Sequence, residues 1–396
     1  MNRKRSLFML CLLSLLLLSG CWSRKELNEL AIVLGMSIEK SGNQYLISVQ
    51  VADPKEVASQ KGGSGYAPVI LYTATGDTLS EAIRKVMSPR VLYPAHLRVL
   101  VIGEELAREG ITESLDLFSR VRQVRPDFFV LVARGQKAED ILKVLTPLEK
   151  LPSNSIMRML ERMEITWAPT IGVTLDELLS DLSSEGKNPA IGGIRVWGDK
   201  EKSSEKANIE KANPSALLQL SGIAAFDQSG KLVGWLSERE SKGLNYILGN
   251  VEQTLGIVPC PEGGKMALRS VRAESKIKGH VEKGKPRIDV EVQVESDIEE
   301  VLCSIDIMRT ESIAQLEKIA EKNLQELMEA SIRKAQKAYR SDIFGFGEAI
   351  NRADPAFWEE RKSDWNQIFP QLTVDVKTNV KIRRTGVIGD PFQEKR

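Results

Sequence analysis

Residues 288–295 read Ile-Asp-Val-Glu-Val-Gln-Val-Glu. Successive side chains of a strand point to opposite faces. This run therefore sends Ile288, Val290, Val292 and Val294 one way and Asp289, Glu291, Gln293 and Glu295 the other. A sheet with one packed face and one wet face asks for that pattern, and such sheets are mostly antiparallel. Residues 271–277 are the expected hairpin partner, across Lys283-Gly284-Lys285. Downstream the period lengthens, and Ile313, Leu316, Leu324, Leu327, Met328, Ile332 and Ala335 fall on one side of a long helix. Upstream, 223–226 and 232–236 flank the turn Asp227-Gln228-Ser229-Gly230. Near the end Leu372, Val374, Val376, Val380 and Ile382 alternate with polar residues once more. This half reads as an antiparallel-sheet domain packed on a long helix.

The first half has another texture. Residues 31–38, Ala-Ile-Val-Leu-Gly-Met-Ser-Ile, read as a strand buried on both faces, and 45–51 return across Ser41-Gly42-Asn43. Further strands are expected at 69–75, 97–102 and 128–132, beyond a glycine-rich loop at 61–65. Helices fall at 78–87, 104–123 and 137–145. A hairpin followed by alternating strands and helices makes a mixed sheet. From Pro152 to Gly186 the pattern is helical, with Ile156, Met159, Leu160 and Met163 on one face, and 191–197 reads as a strand. Residues 198–215 hold almost no large apolar side chain and read as a solvated linker. The fold class expected is α+β and multi-domain. A mixed-sheet domain runs from 21 to about 150 with a helical extension over 151–196; a charged flexible linker follows at 197–216, and the second domain at 217–390.

The chain has 396 residues, 42% hydrophobic and 28% charged, enough for two or three domains with cores and too apolar for wholesale disorder. A net charge of +1 excludes an overall basic nucleic-acid binder. Two histidines and four cysteines leave little for a multi-ligand metal site. Gly263-Gly264-Lys265-Met266 lacks the spacing and hydroxyl of a phosphate loop. Gly63-Ser64-Gly65 is followed by Tyr66, so the nucleophile elbow G-x-S-x-G is absent, as is H-E-x-x-H. His96 and His280 stand without a second ligand at metal spacing and read as structural side chains. No enzyme is expected.

The N-terminus carries the sharpest signal. Arg3, Lys4 and Arg5 precede an apolar run, 7–18, broken only by Ser14. Twelve helical residues span about 18 Å, short of the ~30 Å hydrocarbon core, so the run reads as an export signal over 1–20. It closes on Leu18-Ser19-Gly20-Cys21, which resembles a bacterial lipobox. Cleavage between Gly20 and Cys21 would leave a diacylglycerol thioether on Cys21, plus an N-acyl chain, and no other cofactor is called for. The 376-residue mature chain would lose three of its 55 basic residues, leaving 52 against 54 acidic. Of the remaining cysteines, Cys260 sits in a Pro-flanked loop and Cys303 in an apolar stretch; two unpaired, partly buried thiols are expected.

Several ordered motifs carry a resemblance. They are Cys21-Trp22-Ser23-Arg24-Lys25-Glu26-Leu27 with 31–35, the 78–83 helix start, and 96–107 (His-Leu-Arg-Val-Leu-Val-Ile-Gly-Glu-Glu-Leu-Ala) with Gly110-Ile111. In the second half they are Ser221-Gly222-Ile223-Ala224-Ala225-Phe226, Leu232-Val233-Gly234-Trp235-Leu236, Asp342-Ile343-Phe344-Gly345-Phe346-Gly347, Trp358 and Trp365. Together, over 21–390, the chain resembles the Ger(x)C family, the lipoprotein C subunits of bacterial spore germinant receptors. The family's R-D-x-E-x-R stretch is here Arg120-Val121-Arg122-Gln123-Val124-Arg125, which keeps the outer arginines and loses the acids. The resemblance implies a non-catalytic, lipid-anchored subunit on the extracytoplasmic face of the spore inner membrane. Its implied partners are integral membrane A and B subunits, and its role is in nutrient-triggered germination. For Asp342, Phe344, Gly345, Phe346 and Gly347 the residue types favour a packing role: a helix stop, two aromatic plugs and two permissive glycines. Arg120, Arg122 and Arg125 form a basic patch, either paired with Asp116, Asp127 or Glu113 or open to a partner or lipid head groups. The competing reading, a solute-binding lipoprotein of an uptake transporter, requires two similar α/β lobes about a cleft.

Overall fold

The computed structural model describes residues 31–58, 66–88, 92–120, 124–167 and 169–384. The export signal, Gly20, Cys21 and Arg122 lie outside the described residues.

The described strands of the first sheet are β1 (Ala31–Ser41), β2 (Gln44–Ala52), β3 (Val69–Gly76), β4 (Leu92–Tyr93), β5 (Val99–Gly103), β6 (Phe129–Ala133), β7 (Val173–Thr174), β8 (Ala190–Gly198), β9 (Ala216–Phe226) and β10 (Leu232–Leu236). They lie in the order β10-β9-β8-β6-β5-β1-β2-β3, with β4 on β1 and β7 on β6. The central β8-β6-β5-β1 block is parallel and both flanks are antiparallel, so the sheet is mixed. Central parallel strands are covered on both faces, which is why their sequences are unbroken apolar runs. Val99, Val101, Leu131 and Ala133 pack under helices Ala138–Lys143 and Pro152–Thr166. Leu100, Ile102, Val130 and Val132 face the other way, onto helices Glu104–Glu109, Thr112–Arg120 and Leu175–Ser183. The helix expected over 104–123 is thus two, because Gly110 adopts a φ of 134° that turns the chain between them. Leu79–Met87 is capped as its sequence suggests: the Thr78 hydroxyl accepts from the Glu81 N–H, and the Glu81 carboxylate accepts from the Asp77 N–H.

The second sheet has the order β11 (Thr254–Pro259), β12 (Lys265–Glu282), β13 (Lys285–Leu302) and β14 (Thr373–Arg384). Ile288, Val290, Val292 and Val294 face the core. Above them lie α1 (Glu238–Leu248), α2 (Thr310–Arg333) and α3 (Phe346–Ala353). The alternate residues form a charged outer face, with Arg287 bridging Asp289 and Asp375 and Lys278 pairing Glu291. β14 departs from the antiparallel expectation and runs parallel to β13. Alternation reports which face is buried and carries no information on strand direction; here α2 and the turns after it form the crossover that a parallel pair needs. The outer edge of β14 is protected, because Glu321 and Glu317 of α2 accept from the N–H groups of Val380 and Ile382.

Two further expectations are corrected. Residues 198–215 do not separate two bodies, because they join β8 to β9 within one sheet. A buried asparagine folds this stretch back. Asn208 donates to the Leu145 and Ala216 carbonyls and accepts from the Ala216 N–H, while the Leu145 N–H donates to the Ser203 carbonyl. The hairpin β9–β10 from the second half completes the first sheet, and one core runs from Val33 through Phe226 to Val290. Second, Cys260 and Cys303 are a disulfide with Cα atoms 6.5 Å apart. Lys265 pairs with Pro259 on one side and Leu302 on the other, so the next residue on each flank meets above it. Gly264 permits this with a φ of 83°; a Cβ there would lie 2.8 Å from that of Cys303.

Candidate functional site

The family-like motifs, scattered along the chain, meet at the seam between the two halves. Helix α2 passes into a π-helical turn over Lys334–Tyr339 and stops at Arg340, which takes a left-handed φ of 53°. The next residues turn sharply, and Gly345, φ 75°, starts α3. The carboxylate of Asp342 sits inside this turn. It accepts from the N–H groups of Phe344 at 3.3 Å, Phe346 at 3.1 Å and Gly347 at 2.8 Å, and from the indole N–H of Trp365 at 2.9 Å. Burial pushes its pKa up to about 6, with those four donors opposing the rise. The N-terminal end of α3 adds a favourable dipole.

Around the carboxylate, Phe344 stacks on Phe346 with centroids 4.8 Å apart, and Trp358 meets Trp365 edge-on at 5.2 Å. The first half docks here. The Asn188 N–H donates to the Asp342 carbonyl at 2.8 Å, and the Asn188 amide donates to the Ser341 hydroxyl at 3.0 Å. That hydroxyl donates onward to the carbonyl of Phe226. Gly186 and Gly347 touch backbone to backbone; a Cβ on Gly347 would fall 2.7 Å from both the Gly186 Cα and the Trp358 ring. Asp342–Gly347 therefore does more than plug a core, since it ties the two halves together. The carboxylate's role as a hub escapes a reading based on residue type. The signal for it is an acid followed, two, four and five residues on, by N–H groups of a glycine turn entering a helix.

A second contact joins two other motifs. Glu104, in the 96–107 motif, accepts from the indole of Trp235, in the 232–236 motif, at 3.1 Å and from the Gly135 N–H at 2.8 Å. Burial alone would raise its pKa; these donors and Arg108 outweigh burial and hold it below the usual carboxylate range. Arg134 lies over the Trp235 ring at 4.9 Å, and Tyr339 donates to the Trp235 carbonyl at 2.6 Å.

Beside the seam lies a cleft of about 780 Å³ between Phe129, Val173, Asp181, Lys187, Glu252 and Ile343. Lys187 and Asp181 are paired at 2.8 Å within it. Among the described residues no group of His, Cys, Asp and Glu is arranged to hold a metal ion. The halves flanking the cleft are a mixed ten-stranded sheet and a four-stranded sheet, so they are not the two similar lobes of a solute-binding protein. His96 is exposed, tilted against the ring of Tyr93, and His280 pairs with Asp289. Arg120 is bonded to Asp116 and Arg125 to Asp127, the pairing that residue types allow.

Comparison with known proteins agrees with this assembly. Residues 23–196 match the family model "Spore germination protein N-terminal domain", and 221–386 match "Spore germination B3/GerAC like, C-terminal". The second match begins inside β9, so the first sheet draws strands from both. The chain is 33% identical to spore germination protein KC of Bacillus subtilis (strain 168), covering 99% of this chain and 98% of that protein. It is 25% identical to spore germination protein B3 of the same organism, over 97% and 99% of the two chains. The crystal structure of the GerBC protein superposes with a TM-score of 0.54 at 20% identity, covering 88% of this chain and 96% of that one, a likeness of fold. The chain belongs to the Ger(x)C family of germinant-receptor C subunits, a non-catalytic family that acts in spore germination.

Proposed function

We propose that this protein is a lipid-anchored subunit of a nutrient germinant receptor at the spore inner membrane, held on the extracytoplasmic face against integral membrane A and B subunits. The observation that carries the reading is Leu18-Ser19-Gly20-Cys21, behind a basic flank and a short apolar run. Acyl chains on Cys21 bind the bilayer at roughly 0.8 kcal/mol per buried CH₂, and two or more hold stably. Cys21 stands ten residues before β1, a reach of about 35 Å at full extension. Among the described residues no helix is long and apolar enough to cross a membrane, so the lipid supplies the attachment in this reading. A disulfide suits a chain exported to an oxidising compartment.

The subunit's physical task is to present a rigid surface. The seam at Asp342 fastens the two halves, and the anchor raises the local concentration, turning a weak contact into an effectively intramolecular one. Arg120 and Arg125 are exposed, and their solvent-screened ion pairs are readily exchanged for a partner's acids. Arg120 borders a depression with Tyr45 and Asp77, at the opposite end of the sheet from Ala31, which favours a protein partner over head groups there. Detergent extraction of spore membranes followed by affinity purification of the full chain tests the assignment. Recovery of two integral membrane proteins in constant ratio is expected; recovery of the chain alone from intact receptor-bearing spores would contradict it.

A further inference from the structure

The geometry points to an apolar corner of the first sheet, at the end where β1 begins, as a second contact with the lipid bilayer. This inference rests on the anchored reading above and adds an orientation to it. Exposed large apolar side chains lie at this end of the sheet, on both of its faces: Val57, Tyr66, Ile70, Tyr93 and Leu148. Their placement follows from register. Ile70 pairs with Val51 at the end of β2, and Tyr93 pairs with Ile32, the neighbour of Val51's partner Val33, so the two side chains leave this end of the sheet on opposite faces. Val57 lies one turn past β2, its N–H donating to the Asp53 carbonyl, and Tyr66 precedes Pro68, whose carbonyl binds the Asp53 N–H. Leu148 joins them through its loop, where the Lys150 ammonium donates to the Glu56 carbonyl. Leu148 is fully exposed at 102% and Tyr66 is 79% exposed.

Water is a poor environment for such a group, and monomeric proteins rarely gather apolar side chains without a use for them. What covers this one is indicated by the chain itself. Ala31 stands at the corner, and ten residues separate it from the lipidation candidate Cys21, so the corner stays within about 35 Å of the acyl chains and is the end of the sheet nearest to them along the chain. Two tyrosines, each with an apolar ring and a polar tip, suit the head-group boundary. Two other exposed groupings lack this neighbour. Trp197 and Leu217 form a cross-strand pair at the far end of β8 and β9. Ile257, Leu302 and Met308 lie in the second half, around β11 and the end of β13. The corner therefore rests on the membrane, and the opposite end, with the β1–β2 turn at Asn43, points away by about 30 Å of strand.

Brominated-lipid quenching of an introduced indole tests this. The acylated full chain is placed on vesicles of phosphatidylethanolamine and phosphatidylglycerol in equal parts, as Leu148→Trp or as Asn43→Trp. Both sites are exposed turns, and circular dichroism of each variant checks the fold. Read as the difference from the wild-type chain with its six tryptophans, the indole added by Leu148→Trp should be quenched at least twofold more than that added by Asn43→Trp, and its emission should shift to the blue. Equal quenching at the two positions, or none at either, overturns the proposal. Co-flotation of Cys21→Ala with the same vesicles is read separately. Undiminished flotation of that variant would count against the anchor and leave the quenching contrast to decide orientation.

Discussion

The indole nitrogen of Trp365 donates to a carboxylate oxygen of Asp342 at 2.9 Å, across 23 residues of chain. That bond closes a set of four N–H donors around one buried acid, at the place where the first half docks through Asn188 and Gly186. The acid organises the seam, and one continuous core runs across it through both family modules.

Asp342→Ala strands four buried donors that the carboxylate satisfied. A loss of about 3 kcal/mol or more is expected, read as a lower midpoint in urea unfolding. Asp342→Asn keeps one acceptor and turns an NH₂ group toward N–H donors, so it should lose less but still measurably.

The same group predicts a pH dependence. Its pKa is about 6 when folded against an ordinary aspartate value of 3.8, so between those values the folded state holds a proton that the unfolded chain has released. Its contribution to stability therefore falls as pH rises from about 4 to about 6, by about 3 kcal/mol, and is flat above. Subtracting the Asp342→Asn curve from the wild-type curve isolates this step from those of Glu39 and Asp181, which burial also raises. A difference curve that rises with pH over this window would contradict the assignment.

Gly347→Ala drives a methyl group into the Gly186 backbone and the Trp358 ring. The expected cost is about 1–3 kcal/mol, and because it falls on the seam, proteolysis between the halves should speed up. Unchanged proteolysis with a lowered midpoint would place the damage elsewhere.

The disulfide closes a separation of 43 residues. Chain entropy alone assigns it about 4 kcal/mol. Cys260→Ser with Cys303→Ser should lower the melting temperature, and a reductant should do the same to the wild type and nothing to the variant.

Much of the fold was legible because one-sided burial writes itself at period two. Ile288, Val290, Val292 and Val294 gave away a packed face, and the unbroken run 31–38 gave away a central strand. Direction was not legible, because β14 shows the same alternation whether it runs with β13 or against it. The Cys260–Cys303 pair depends on a three-strand register across Lys265, which spacing along the chain does not reveal. Asn208 shows why 198–215 misled: a polar residue buried with every group bonded reads in sequence like a solvated one. At the seam, Phe344 and Phe346 could be read as packing from their apolar surface. The carboxylate of Asp342 could not be read as a hub, because its partners are backbone groups without residue identity and a tryptophan far downstream.

The proposed role depends on attachment through Cys21. In spores that make the Cys21→Ala chain at native level in place of the wild type, nutrient-triggered germination should be lost or severely slowed while the soluble protein remains folded. Germination at the wild-type rate, with the protein shown to be unacylated and free of the membrane, would contradict it.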